Sequence, residues 1–95
     1  MNMTLEEAQR QVGPGWAGLV EAIYNRLPQD AHIDQIKEKF GGLRFYVDGD
    51  AELLDFIDEM EAKSLTVCEG CGKPGHPRKG GWILTLCDEC AKAKE

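Results

Sequence analysis

The four cysteines of this 95-residue chain fall in its last third, as Cys68-x2-Cys71 and Cys87-x2-Cys90 with fifteen residues between the pairs. A C-x2-C turn aims two sulfurs at one point. Two such turns supply four thiolates in a tetrahedron, the geometry of structural Zn²⁺. Gly70 inside the first pair and Gly72 just after it suit the tight turn of a metal knuckle, where positive φ is accessible to glycine. Two disulfides are a competing use of four cysteines, one that a cytosolic setting disfavours. An iron–sulfur cluster accepts the same ligands. Four sulfurs complete the shell and leave no position for water, so the site reads as structural rather than catalytic. His76, between the pairs, is able to replace a cysteine, but with the shell already complete it reads as a loop residue. If the thiols begin neutral, metallation moves the net charge from −6 to about −8. Lys73, Arg78, Lys79 and Lys92 are near enough in sequence to offset part of that.

The elements that would position these sulfurs form an α+β pattern in one small domain. Residues 1–66 read as N-terminal helices, a β-hairpin and an acidic helix, and residues 67–95 as a zinc-ribbon portion packed with them as one unit. Thr4 to Glu7 is T-x-x-E, a capping box for a helix starting near Leu5. Gly13-Pro14-Gly15 breaks it. Trp16, Leu19, Val20, Ile23, Tyr24 and Leu27 then recur at helical spacing, up to Pro28. Asp50 caps a helix over 51–63 with Leu53, Leu54, Ile57 and Met60 as its apolar stripe and Phe56 beside it. "SLTVC" and "WILTLC" read as short strands leading into the two cysteine pairs, with a flexible basic loop, "GKPGHPRKGG", between them.

Residues 33–47 carry the other notable stretch, "KEKFGGLRFYV". Leu43, Phe45 and Val47 alternate, and Gly41-Gly42 makes a two-residue hairpin turn. A helix closed by Gly41 and followed by a strand is the competing arrangement. In the hairpin, Leu43, Phe45 and Val47 face the core. Lys37, Lys39, Arg44 and Tyr46 then form a cationic face with one aromatic ring. Lysine and arginine contact phosphate oxygens, and tyrosine stacks on a base. Lysine and arginine also blunt an edge strand with no ligand at all. Arg78 and Lys79 of the basic loop are further candidates for an anionic ligand.

The balance of −6 opposes broad binding to a nucleic-acid backbone, which requires many phosphates to be neutralised. The charge is uneven: Asp48 to Glu61 holds seven acids and no base, whereas no acid lies between Glu69 and Asp88. Local positive patches on an acidic protein follow. No apolar run reaches the roughly 18 residues of a membrane span, and the N-terminus lacks a secretory pattern, so a cytoplasmic location is expected.

"KEKFGGLRFYV", "SLTVCEGCGKPG" and "WILTLCDEC" together resemble a group of small bacteriophage and prophage proteins, over about Ile36 to Cys90. The resemblance implies the zinc site and a viral origin, with the host-cell cytoplasm as location. It suggests a class of non-enzymatic binders that counter host defence, by sequestering a nucleotide signal or by binding a host protein. A nucleic-acid-binding zinc ribbon is the alternative. An enzyme ranks third: His32 and His76 are the only histidines, the cysteines are committed to metal, and no nucleophile–base pair or phosphate loop stands out. A small domain of this size is also able to complete its core by self-association.

Overall fold

Helix α1 (Leu5–Gln9) begins where the T-x-x-E pattern places it. The Thr4 hydroxyl accepts the Glu7 N–H at 3.1 Å and the Glu7 carboxylate accepts the Thr4 N–H at 2.9 Å, so two orphan donors of the first turn are satisfied reciprocally. In the computed structural model, which describes residues 1–94, Pro14–Trp16 form a single 3-10 turn that leads into α2 (Ala17–Tyr24). Trp16, Val20 and Ile23 are fully buried on its inner face. The helix stops at Tyr24 and does not run to Pro28. Leu27 still reaches the core, through tighter i→i−3 bonds from Arg26 to Ile23 and from Leu27 to Tyr24. Pro28 disfavours helical geometry at Leu27, and the last residues unwind accordingly.

Strands β1 (Ile33–Lys39) and β2 (Gly42–Val47) form an antiparallel hairpin, so the helical alternative for residues 33–40 is set aside. Lys39 faces Gly42, and the two-residue turn is Phe40-Gly41 rather than Gly41-Gly42. Both turn residues have positive φ, 54° and 81°, the pattern of a type I′ turn. Local and tertiary bonds explain the slide by one residue. The Glu38 carboxylate accepts the Gly41 N–H at 2.7 Å, and the Thr85 hydroxyl donates to the Gly41 carbonyl. A Cβ at position 41 would also press on Thr85 Oγ1 at 3.0 Å, so glycine is favoured there by φ and eases the contact with β4.

Helix α3 (Ala51–Ser64) starts at Asp50, whose carboxylate accepts the Leu53 N–H at 2.8 Å. Leu53 and Ile57 are buried and Phe56 and Met60 pack against the core, whereas Leu54 is 42% exposed and leaves the expected stripe. The helix lies along the outer edge of β2. Leu43 N–H donates to Ser64 Oγ and Phe45 N–H to Glu61 Oε2, each at 2.9 Å. The main core therefore joins α1 and α2, the inner face of the hairpin (Ile36, Leu43, Phe45, Val47) and α3.

The ribbon differs from its expected outline. "SLTVC" is not a strand: Ser64 ends α3, and only Val67 pairs, in an isolated bridge with Pro74. The loop read as flexible contains β3 (His76–Arg78), which pairs antiparallel with β4 (Leu84–Leu86). Pro77 fits because a short edge strand tolerates a residue with no N–H. Helix α4 (Asp88–Ala93) follows directly. Cys68, Leu86 and Cys87 make a second, small core. Three long-range bonds tie this unit to the rest: Gly15 N–H to the Glu69 carbonyl at 2.9 Å, Trp16 Nε1 to the Val67 carbonyl at 2.8 Å, and Thr85 to Gly41. Among the described residues no helix is long and apolar enough to cross a membrane.

Candidate metal centre and cationic hairpin face

The first cysteine pair sits in a loop that folds back on itself. Cys68 N–H donates to the Lys73 carbonyl at 2.8 Å and Gly72 N–H to the Cys68 carbonyl at 2.9 Å, with Gly72 at φ 85°. The second pair is built into a helix start. Cys87 is the N-cap of α4, and its sulfur accepts the Cys90 N–H at 3.4 Å. The β3–β4 pairing brings the two pairs together, because β4 runs straight into Cys87.

The four Sγ atoms lie within 4.8 Å of one another, and Cys71 and Cys87 sulfurs are 3.6 Å apart. A tetrahedral ion with metal–sulfur bonds of about 2.3 Å separates its ligands by about 3.8 Å. The arrangement therefore fits one four-thiolate metal ion. The thiol electrostatics agree. Burial pushes the Cys68 thiol up, but N–H groups of Cys87, Cys71 and Gly70 outweigh it and bring the pKa down to about 6. The neighbouring sulfurs of Cys68, Cys87 and Cys71 push Cys90 up to about 12. One thiolate forms readily and the full set does not, unless a cation neutralises it. His76 stands on β3 opposite Leu86, outside the four-sulfur cluster.

The N-terminal segment braces this centre. Ideal Cβ atoms at Gly13 and Gly15 would collide with the backbone of Glu69 and of Cys68 respectively. The chain thus presses Gly13-Pro14-Gly15 directly onto the first knuckle, a close approach only glycine permits. By residue type alone this tripeptide reads as a helix breaker; its second role comes from contact with a segment distant in sequence.

The six predicted ligand residues separate into two groups. Lys37, Lys39, Arg44 and Tyr46 share the outer face of the hairpin, as expected from alternation, with Lys37 directly opposite Arg44. Lys37 Nζ lies 5.9 Å from the centre of the Tyr46 ring. Among the described residues none of the three cations has a carboxylate within ion-pair distance. Arg78 is instead turned into the ribbon. Its guanidinium donates twice to the Leu86 carbonyl, at 3.1 and 3.0 Å, and once to Asp88 at 2.8 Å. It therefore pins β3 to the start of α4. Lys79 lies next to it, exposed, and Lys73 pairs with Glu89 at 3.3 Å. Two exposed aromatic rings were not singled out from sequence: Phe40 at the hairpin turn, 69% exposed, and Trp82 in the loop before β4, 76% exposed. Their hydrophobicity reads as strand or core, and only the tertiary structure puts them outside.

Comparison of the chain with protein-family models, with curated proteins and with solved structures finds no match.

Proposed function

We propose that this chain is a non-enzymatic binding protein of the bacteriophage type, stabilised by structural Zn²⁺ on Cys68, Cys71, Cys87 and Cys90. Its ligand is an anionic nucleotide signal, held on the outer hairpin face by Lys37, Lys39, Arg44 and Tyr46, and sequestration of that signal counters host defence. The observation that carries the reading is the Lys37–Arg44 pair. Like charges directly opposite on a hairpin are destabilising, and this pair occurs without a carboxylate partner among the described residues of a protein of net charge −6. An anionic ligand relieves that repulsion. Zinc is the ion that four cysteines in two C-x2-C turns fit best, and its role is to hold the ribbon against the hairpin, not to react. The same resemblance to small phage proteins that implies a viral origin supports the binder class. The commitment of Arg78 to Leu86 and Asp88 removes one cation from the basic loop and so disfavours the nucleic-acid-binding ribbon.

Isothermal calorimetry of the metal-loaded protein against linear and cyclic nucleotides tests the reading. Saturable binding is expected, weakened at least about tenfold in the Lys37→Glu/Arg44→Glu double variant, because each charge-assisted bond contributes about 1.5–3 kcal/mol. Absence of binding across the panel, with one zinc per chain in native mass spectrometry, would sink the nucleotide version. Pull-down of a single host protein in that case points to the protein-binding version.

A further inference from the structure

We propose that the cleft between the hairpin turn and the loop before β4 is a nucleobase site, with Phe40 and Trp82 as its aromatic walls and Lys39 at its mouth holding the attached phosphate. This rests on the nucleotide reading above and deepens it, by giving the base a cleft with two aromatic rings in place of the single Tyr46 ring of the cationic face.

The cleft has a volume of about 380 Å³ and is lined by Phe40, Trp82, Ile83, Glu38 and Lys39, with Gly80 and Gly81 on one side. That lies within the roughly 300–1,000 Å³ of small-molecule sites. Two features of its walls work against the stability of the isolated fold. Phe40 holds φ at 54°, a conformation costly for a bulky residue, in a turn position where glycine or asparagine is favoured. Its ring is also 69% exposed, and the facing loop presents Trp82 at 76% exposure. A strained backbone that holds an apolar ring in water, beside a second exposed ring on the same cavity, is the pattern of a binding surface. A Cβ at Gly81 would meet nothing within 4 Å, and its φ is not of the left-handed kind. Glycine there is not forced by crowding or backbone.

Charge selects the occupant. Lys39 Nζ lies 5.8 Å from the centre of the Phe40 ring, at the cleft, and Lys39 shares the hairpin's outer face with Lys37 and Arg44, neither of which has a carboxylate within ion-pair distance among the described residues. A mostly apolar cleft with two aromatic rings, edged by Glu38 and Lys39 and opening beside a cationic face, matches a planar base joined to phosphate. Every base has a π-face for such walls, and stacking on them tolerates sequence. The base–phosphate unit comes from a free nucleotide or from a single strand, and the ligand series below separates these sources.

The metal-loaded protein is titrated with adenosine, guanosine and uridine monophosphates, a cyclic dinucleotide, ten-residue oligo-dT and oligo-rU, and pyrophosphate. Binding is followed by calorimetry and by tryptophan emission. Trp16 is fully buried, so quenching reports Trp82. Base-containing ligands are expected to quench saturably; mononucleotides or the cyclic dinucleotide doing so at lower concentration than the oligomers identifies a free nucleotide, and the reverse order a single strand. Pyrophosphate should bind more weakly and without quenching. Trp82→Ala and Phe40→Gly should each weaken calorimetric affinity about 5- to 150-fold. Phe40→Gly should at the same time raise the melting temperature, since glycine relieves the turn, which separates lost binding from lost folding. Wild-type affinity in both variants, with loss in Lys37→Glu/Arg44→Glu, overturns the cleft and leaves the cationic-face reading standing. No binding by any phosphate-containing ligand overturns both. Quenching of Trp82 by an apolar peptide but by no nucleotide overturns the base site in favour of a protein partner.

Discussion

The buried Ser64 hydroxyl accepts the outward N–H of Leu43 at 2.9 Å and donates in turn to the Glu61 carbonyl. One side chain thus finishes helix α3 and closes the free edge of strand β2. The Glu61 carboxylate covers the same edge two residues further along, where it accepts the Phe45 N–H. A two-stranded sheet is marginal by itself and exposes unpaired edges. Here α3 removes one of them, and the hairpin is left with a covered inner face and a rigid outer face that carries Lys37 and Arg44.

Ser64→Ala should therefore cost more than its small volume suggests. It orphans the Leu43 N–H in a buried setting, and a loss of about 1–3 kcal/mol is expected in urea unfolding. A change below about half a kcal/mol would show that the edge is not held by this bond.

Two glycine variants separate crowding from flexibility. Gly15→Ala drives a methyl into the Cys68 carbonyl and the Gly72 nitrogen, backbone atoms that cannot turn aside. A loss on the order of 2–4 kcal/mol is expected, with weaker metal retention in competition against a chromogenic chelator. Gly18→Ala, in α2 with nothing within 4 Å of the added methyl, should instead gain about 0.5–1 kcal/mol. Equal effects from the two would refute the close approach at the knuckle.

Chelation should unfold the ribbon before the hairpin. Metal affinity in four-thiolate sites is on the order of 10–16 kcal/mol, comparable with the whole net stability of a domain at about 5–15 kcal/mol. Hydrogen exchange after removal of the ion should show lost protection at Cys68, Glu69 and Gly72, whose N–H groups are bonded within or against the ribbon. Acidification should act in the same direction, because protons and metal compete for the same sulfurs. Unchanged protection of these amides in the stripped protein would exclude a structural role for the ion.

The capping box predicts a separate acid response. Backbone and side-chain hydrogen bonds from Thr4 hold the Glu7 carboxyl below its ordinary value of 4.5. A depressed carboxylate adds stability above its unfolded pKa and loses it as pH falls through the lower folded value. The melting-temperature difference between wild type and Glu7→Gln should accordingly be constant above about pH 5 and shrink below 4.5. Comparing two proteins that carry the same cysteines cancels the metal's own pH dependence. A difference that stays constant down to pH 3 would rule out the ionised box.

The cysteine cluster and both helix starts were legible in the sequence because spacing alone encodes them: C-x2-C for the sulfurs, T-x-x-E and Asp50 for the caps. The faces of the hairpin were legible for the same reason, since Leu43, Phe45 and Val47 alternate strictly. What escaped depends on contacts between distant segments. The turn sits at Phe40-Gly41 because Thr85 grips the Gly41 carbonyl from 44 residues away. "SLTVC" has strand-like residues, but Ser64 is held in the helix by its bond to β2. Arg78 reads as free in the sequence, but the end of β4 supplies the Leu86 carbonyl and the start of α4 the Asp88 carboxylate as its acceptors. Phe40 and Trp82 are apolar by type and exposed by topology, a conflict between levels that concentrates at functional surfaces.

The bond from Trp16 to the Val67 carbonyl spans 51 residues. During synthesis the indole leaves the ribosome long before its acceptor, and before any of the four sulfurs. The helices can gather early, but the indole of the largest fully buried side chain meets its acceptor only once Val67 has emerged, just ahead of the first cysteine pair, and the knuckle that Gly15 grips forms only after that pair has followed. With a metal on the four sulfurs, ion capture and closure of the main core would become one late event on the nascent chain, and the ribbon would stay open to proteolysis until the ion arrives.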